Sequence, residues 1–114
     1  MSARGAATRS AVLDGVFGAL SDPTRRSVVE LLLRDGSTSV PSLSSQLPIS
    51  RQAVAKHIAT LEQAGLLERL PTHGREVRYG LRGEAIAPAA AWLNEAGKAW
   101  DGRLGRLKRA VEPR

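Results

Sequence analysis

A chain of 114 residues with 42% apolar and 25% charged residues is long enough for one domain with a modest core, or for one domain and an arm. The absence of cysteine excludes disulfides, thiolate metal sites and thiol chemistry, and no run approaches the roughly 18 consecutive apolar residues of a membrane span. Seventeen Lys and Arg against eleven Asp and Glu leave a net charge of +6, which points to a polyanionic partner; at 4% aromatic content a surface that stacks unpaired bases is not expected, so the partner expected is double-stranded DNA.

Residues 1–9 are small, polar and basic and read as a disordered arm. They lack the apolar core of a secretory signal, which fits a cytoplasmic, nucleoid-associated protein. From Ser10 to Leu20, the apolar residues Val12, Leu13, Val16, Phe17 and Leu20 recur at helical spacing and predict a first helix. Asp22-Pro23 is a start signal, an N-cap followed by a proline at the first helical position. A second helix is expected to Arg34, with Val28, Leu31 and Leu32 inward, Val29 and Leu33 beside them, and Asp35-Gly36 as its end. Arg25 and Arg26 oppose the dipole at its start, so they read either as phosphate contacts or as solvated side chains.

A short third helix begins near Ser39, runs through Pro41 and buries Leu43 and Leu47. Pro48-Ile49 makes a turn, and Ser50 caps a fourth helix that Gly65 ends. Two helices joined by such a turn form a helix-turn-helix unit. Val54, Ile58 and Leu61 supply the buried face of the fourth helix. Arg51, Gln52, Lys56, Gln63 and Thr60 lie away from it. Arg and Gln are suited to bidentate bonds with guanine and adenine in a major groove, and Lys or Thr to phosphate. By itself this is also the pattern of an ordinary solvated amphipathic helix; the neighbouring elements favour the DNA reading.

Leu67 to Leu70 and Val77 to Leu81 read as two strands around a His73-Gly74 turn, with Arg69, Arg75 and Arg78 on the tip and edge. A basic hairpin directly after a recognition helix is a wing. From about Glu84 a last helix is expected, with Pro88 in its first turn or kinking it. Its stripe of Ala89, Trp92, Ala96, Trp100, Leu104, Leu107 and Val111 has no obvious place to be buried within one short winged domain. The expectation is therefore a homodimer whose interface pairs Trp92, Ala96, Trp100 and Leu104 with Val12, Leu13, Val16 and Phe17 of the first helix; packing of both tryptophans on their own domain is the alternative. The basic residues beyond Lys98, through Arg114, read as solvated.

The fold class expected is mainly α with a small β-hairpin, a winged helix-turn-helix of order α-α-α-α-β-β-α. Residues 10–83 form its DNA-binding domain and residues 84–114 its dimerisation helix and basic tail. Within that order, Phe17-Gly-Ala-Leu-Ser-Asp-Pro-Thr-Arg-Arg26 and Leu47-Pro-Ile-Ser-Arg-Gln-Ala-Val-Ala-Lys-His-Ile58 resemble the opening signature and the recognition helix of the ArsR family of winged-helix repressors. Leu61-Glu-Gln-Ala-Gly-Leu-Leu67 and Gly74-Arg75-Glu76 to Tyr79-Gly80-Leu81 continue the likeness, which spans residues 12–81. The tail with Trp92 and Trp100 is similar to the branch of that family without metal-binding cysteines. The resemblance implies a homodimer, operator binding and autorepression.

Carried over by position, Ser50, Arg51, Gln52 and Lys56 face DNA, His57 braces the helix or reaches phosphate, and Arg75 sits at the wing tip. With Thr60 and Arg78 these are the candidate DNA-binding residues. No cofactor and no membrane association are expected, and no metal, because His57 and His73 fall on different elements and the last helix has no histidine. The resemblance leaves a small-molecule inducer unassigned. No nucleophile–base pair, carboxylate pair or glycine-rich phosphate loop suggests an enzyme. A non-specific architectural DNA binder and a winged-helix protein-interaction module are the rival readings.

Overall fold

The computed structural model describes residues 2–72 and 74–111. Five helices and one hairpin follow in order: α1 Ser2–Ala19, α2 Pro23–Asp35, α3 Val40–Gln46, α4 Arg51–Gln63, β1 Leu67–Leu70, β2 Arg78–Leu81 and α5 Gly83–Val111. This is the expected order and class. His73, expected in the hairpin turn, and Arg114, expected in a solvated tail, lie outside the described residues.

The starts of α2, α3 and α4 are each written in a cap. Asp22, Ser39 and Ser50 accept the backbone N–H of Arg25, Ser42 and Ala53, and Pro23 and Pro41 stand in first turns, where a missing N–H costs nothing. The arm expected over residues 1–9 is a correction: α1 already begins at Ser2, about two turns before Ser10. Ala3, Ala6 and Ala7 are the strongest helix formers and no proline interrupts them, so polarity alone does not stop the helix.

The core lies where α1, α2, α3, α4 and the hairpin converge. Val16, Val28, Leu32, Leu43, Val54, Ile58, Leu61, Leu66 and Leu67 are fully or almost fully buried there. Val16, expected at a dimer interface, belongs instead to this internal core at 1% exposure. Leu33, expected beside the inner face of α2, is 68% exposed. Leu47, read as buried, is half-buried, as is Leu70.

β1 and β2 pair antiparallel, with Leu67 opposite Leu81 and Leu70 opposite Arg78. Val77, expected in the second strand, precedes β2 and is exposed. On its outer side β2 gains a partner the sequence does not announce. Thr38 and Tyr79 exchange both backbone hydrogen bonds, at 3.0 and 2.8 Å, and so tie the hairpin to the segment before α3.

α5 has 29 residues, about 43 Å at 1.5 Å per residue. Pro88, expected in the first turn or at a kink, is its sixth residue. The bond it forfeits is to the carbonyl of Glu84, on an exposed turn where water can replace it. Only the start of α5 packs on the core, through Ala85, Ile86 and buried Ala89. Trp92 meets Phe17 edge-on, with centroids 5.6 Å apart. Beyond that contact the helix leaves the domain: Trp92 is 52% and Trp100 57% exposed, and Leu104, Leu107 and Val111 are exposed as well. The radius of gyration is 18.6 Å, against roughly 13 Å for a compact chain of this length. No helix among the described residues is long and apolar enough to cross a membrane.

Candidate nucleic-acid interface

α4 is locked at both ends by its own sequence. Ser50 Oγ accepts the N–H of Ala53 at 3.1 Å, which leaves the hydroxyl proton free to donate outward. At the other end Gly65 takes φ +79°, the Gly65 N–H reaches the Glu62 carbonyl, and the Leu66 N–H reaches the Leu61 carbonyl, both at 2.9 Å. That pair of bonds is a Schellman motif, and buried Leu61 and Leu66 supply its apolar contact. Val54, Ile58 and Leu61 fix the rotation of the helix by filling the core.

The opposite face follows from that rotation. Arg51, Gln52, Ala55, Lys56, Ala59 and Thr60 are all exposed. The two alanines keep the face low, so a backbone or base edge could approach between the long donors. Among the described residues none is an ion-pair or side-chain hydrogen-bond partner of Arg51, Gln52, Lys56 or Arg75. The donors are thus unspent among the described residues. Thr60 differs, because its hydroxyl donates to the Lys56 carbonyl at 3.2 Å and keeps only acceptor capacity.

Two of the sequence-predicted site residues are engaged inside the protein. Arg78, read as an exposed edge cation, is half-buried and donates through Nε and Nη2 to Ser37 Oγ at 3.2 and 2.9 Å and through Nη1 to Glu76. It pins the wing beside the Thr38–Tyr79 pairing. His57 is half-buried, with Nδ1 3.4 Å from Nη1 of Arg25. At the wing, Arg75 is exposed, and Thr72 holds the loop by donating to the Glu76 carbonyl at 2.7 Å. Arg69 is drawn toward Glu62 and over the Tyr79 ring.

The sequence reading missed Arg25 and Arg26 as structural residues. Arg25 Nε donates to the Ala19 carbonyl at 2.6 Å and Arg26 Nη1 to the Leu20 carbonyl at 2.8 Å. At the start of α2 the two cations look misplaced, but at the C-terminal end of α1 they meet the dipole with the right sign. No local signal reveals this, since it depends on how α1 meets α2. Asp22 sits beside them. Donation from the Arg25 backbone N–H holds its carboxyl below the usual carboxylate range, partly opposed by desolvation and helped by the His57 and Arg25 charges.

The profile of the helix-turn-helix domain family matches residues 20–69, which contain α2 to α4 and most of β1. The structure of an ArsR-like transcriptional regulator from Rhodococcus sp. RHA1 is 41% identical and superposes with a TM-score of 0.70, over 92% of this chain and 97% of that one. The chain belongs to the ArsR family. A second ArsR family transcriptional regulator of known structure is 33% identical with a TM-score of 0.68, over 81% and 93% of the two chains. The transcriptional repressor SdpR of Bacillus subtilis is 29% identical over 83 residues, 71% of this chain and 88% of that protein. This ArsR-family member is a transcriptional regulator with a helix-turn-helix DNA-binding domain and not an enzyme.

Proposed function

We propose that this ArsR-family regulator is a sequence-specific, homodimeric repressor that binds a palindromic operator, including one at its own promoter. The observation that carries the reading is the unspent row of Arg51, Gln52 and Lys56 on a helix whose ends and rotation are fixed. A helix fixed in this way needs no ordering of its backbone when it binds, and Arg and Gln have the geometry to read guanine and adenine. Ser50 and Arg75 contact phosphate, on the helix start and the wing, while Arg78 serves by holding the wing in place. Two copies joined through the exposed faces of α1 and α5 present two α4 helices to successive major grooves, about 34 Å apart. The name of SdpR, a repressor, supports the sign of regulation.

The test is a fluorescence-anisotropy titration of the DNA upstream of the protein's own gene against a scrambled duplex, at two salt concentrations. A preference of roughly 10³-fold or more is the expected result, with a salt slope that counts the phosphate contacts. Equal binding to both duplexes would replace this reading with that of an architectural DNA binder.

A further inference from the structure

One side chain touches three helices. The Arg25 guanidinium, on α2, donates to the Ala19 carbonyl at the end of α1 at 2.6 Å and lies 3.5 Å from the Gly18 carbonyl, which Ser21 already caps through its N–H and hydroxyl. Its remaining amino group, Nη1, faces His57 Nδ1 on α4 at 3.4 Å. Its own backbone N–H is held by Asp22 at 3.0 Å. A guanidinium is a donor only, so an Arg25–His57 hydrogen bond takes the imidazole tautomer that leaves Nδ1 unprotonated. Arg26 offers an internal comparison. It caps the same end of α1, at the Leu20 carbonyl, and among the described residues it makes no hydrogen bond or ion pair to α4.

We infer that Arg25 is a positioning residue that sets the angle between the recognition helix and the α1 arm through His57. The inference rests on the reading of α4 as the base-reading helix and of α1 as part of the dimer arm. If α1 belongs to the interface, its angle to α4 fixes where the two recognition helices stand relative to each other. Arg25 then governs which half-site spacing the dimer accepts, without touching a base. Local base recognition by one α4 does not depend on it. The fork geometry matters: a lysine at this position keeps a charge for the α1 carbonyls but cannot span from Ala19 to His57.

The experiment uses the full chain and an operator selected by the wild-type protein from random duplexes. Affinities are compared for that operator, for versions with the half-sites moved one base pair apart or together, and for a single half-site. Wild type is expected to prefer the native spacing by roughly tenfold or more. Arg25→Lys is expected to bring that ratio to within about twofold while the single half-site affinity stays the same, and Arg26→Lys to retain the wild-type ratio. His57→Ala, which leaves the α1 cap intact, should behave as Arg25→Lys does. His57→Asn, whose amide oxygen can stand in for Nδ1, should restore the preference. Equal ratios for Arg25→Lys and Arg26→Lys, or a wild-type ratio in His57→Ala, would overturn the inference and leave the dimeric repressor standing. A wild-type protein indifferent to spacing would overturn both.

Discussion

Arg51 and Arg75 carry the same charge and stand equally clear of other side chains, yet they occupy different kinds of position. Arg51 opens a capped helix and is held in register with Gln52, whereas Arg75 projects from the short loop of the wing, next to Gly74 at φ +94°. A cation on the helix can be aimed at a base edge, and one on a loop tip finds phosphate wherever the backbone passes. Arg51→Ala is therefore expected to cost about 1–3 kcal/mol on the operator and to relax sequence choice, while Arg75→Ala weakens cognate and random duplexes alike. Titrations of both variants on both duplexes check the division, and equal losses for Arg51→Ala would refute it. Asp22 gives a prediction about acid. Its carboxyl titrates lower in the folded chain than its ordinary value of 3.8, as does that of Asp35 beside Arg34. The unfolded chain thus takes up these protons first as pH falls. The stability they contribute is complete above the unfolded value and is lost as the pH drops through the folded one. Asp22→Asn keeps an acceptor at the cap but cannot titrate, so the gap between its urea midpoint and that of wild type should narrow at acid pH. Caps of this kind are legible in sequence because donor and acceptor are three residues apart. Arg78 was not legible in the same way: its partner Ser37 is 41 residues distant, and only the folded topology brings them together.

At the scale of the element, α4 shows what a sequence can and cannot specify. The expected helix between Ser50 and Gly65 agrees with the observed Arg51–Gln63 and its caps, since its start and stop signals are both local chemistry. α1 and α5 were less legible. The polar start of α1 gave no apolar period to read, although its alanines favour helix, and Pro88 suggested a break that an exposed turn tolerates. The ends of α4 can be tested separately. Gly65 holds a left-handed φ of +79°, and the nearest atom to an added Cβ is that of Ala85 at 3.9 Å. Space is thus available, and the cost of Gly65→Ala is conformational, about 1–2 kcal/mol. Ser50→Ala removes one cap acceptor and should cost about 1 kcal/mol. Urea unfolding of the two variants measures both losses. Only Ser50→Ala should also weaken operator binding beyond its effect on stability, because it removes the proposed phosphate contact and loosens the turn that carries Arg51 and Gln52.

For the whole molecule, the arms matter more than the core. The α1–α4 domain buries most of its apolar residues, Val12 and Leu33 apart, while the stripe of α5 beyond its contact with Phe17 stands in solvent. A Trp buries about 150–250 Å² when covered, and Trp100 is 57% exposed, so a partner could remove on the order of 100 Å² more at that residue. Two-fold symmetry repeats the contact, and at about 25 cal/mol per Å² the pair is worth on the order of 5 kcal/mol to association, as an upper bound. Trp100→Glu should accordingly raise the dissociation constant of the proposed dimer by on the order of 10³-fold. Helical content should stay near that of wild type, because Trp100 lies outside the buried cluster. Sedimentation equilibrium across a concentration series reads the first quantity and circular dichroism the second. Operator titration adds a third: the dissociated variant should bind a half-site as wild type does and lose the gain from a second half-site. A Trp100→Glu protein that sediments as wild type would place the dimer contact elsewhere and leave the exposed stripe to a different partner.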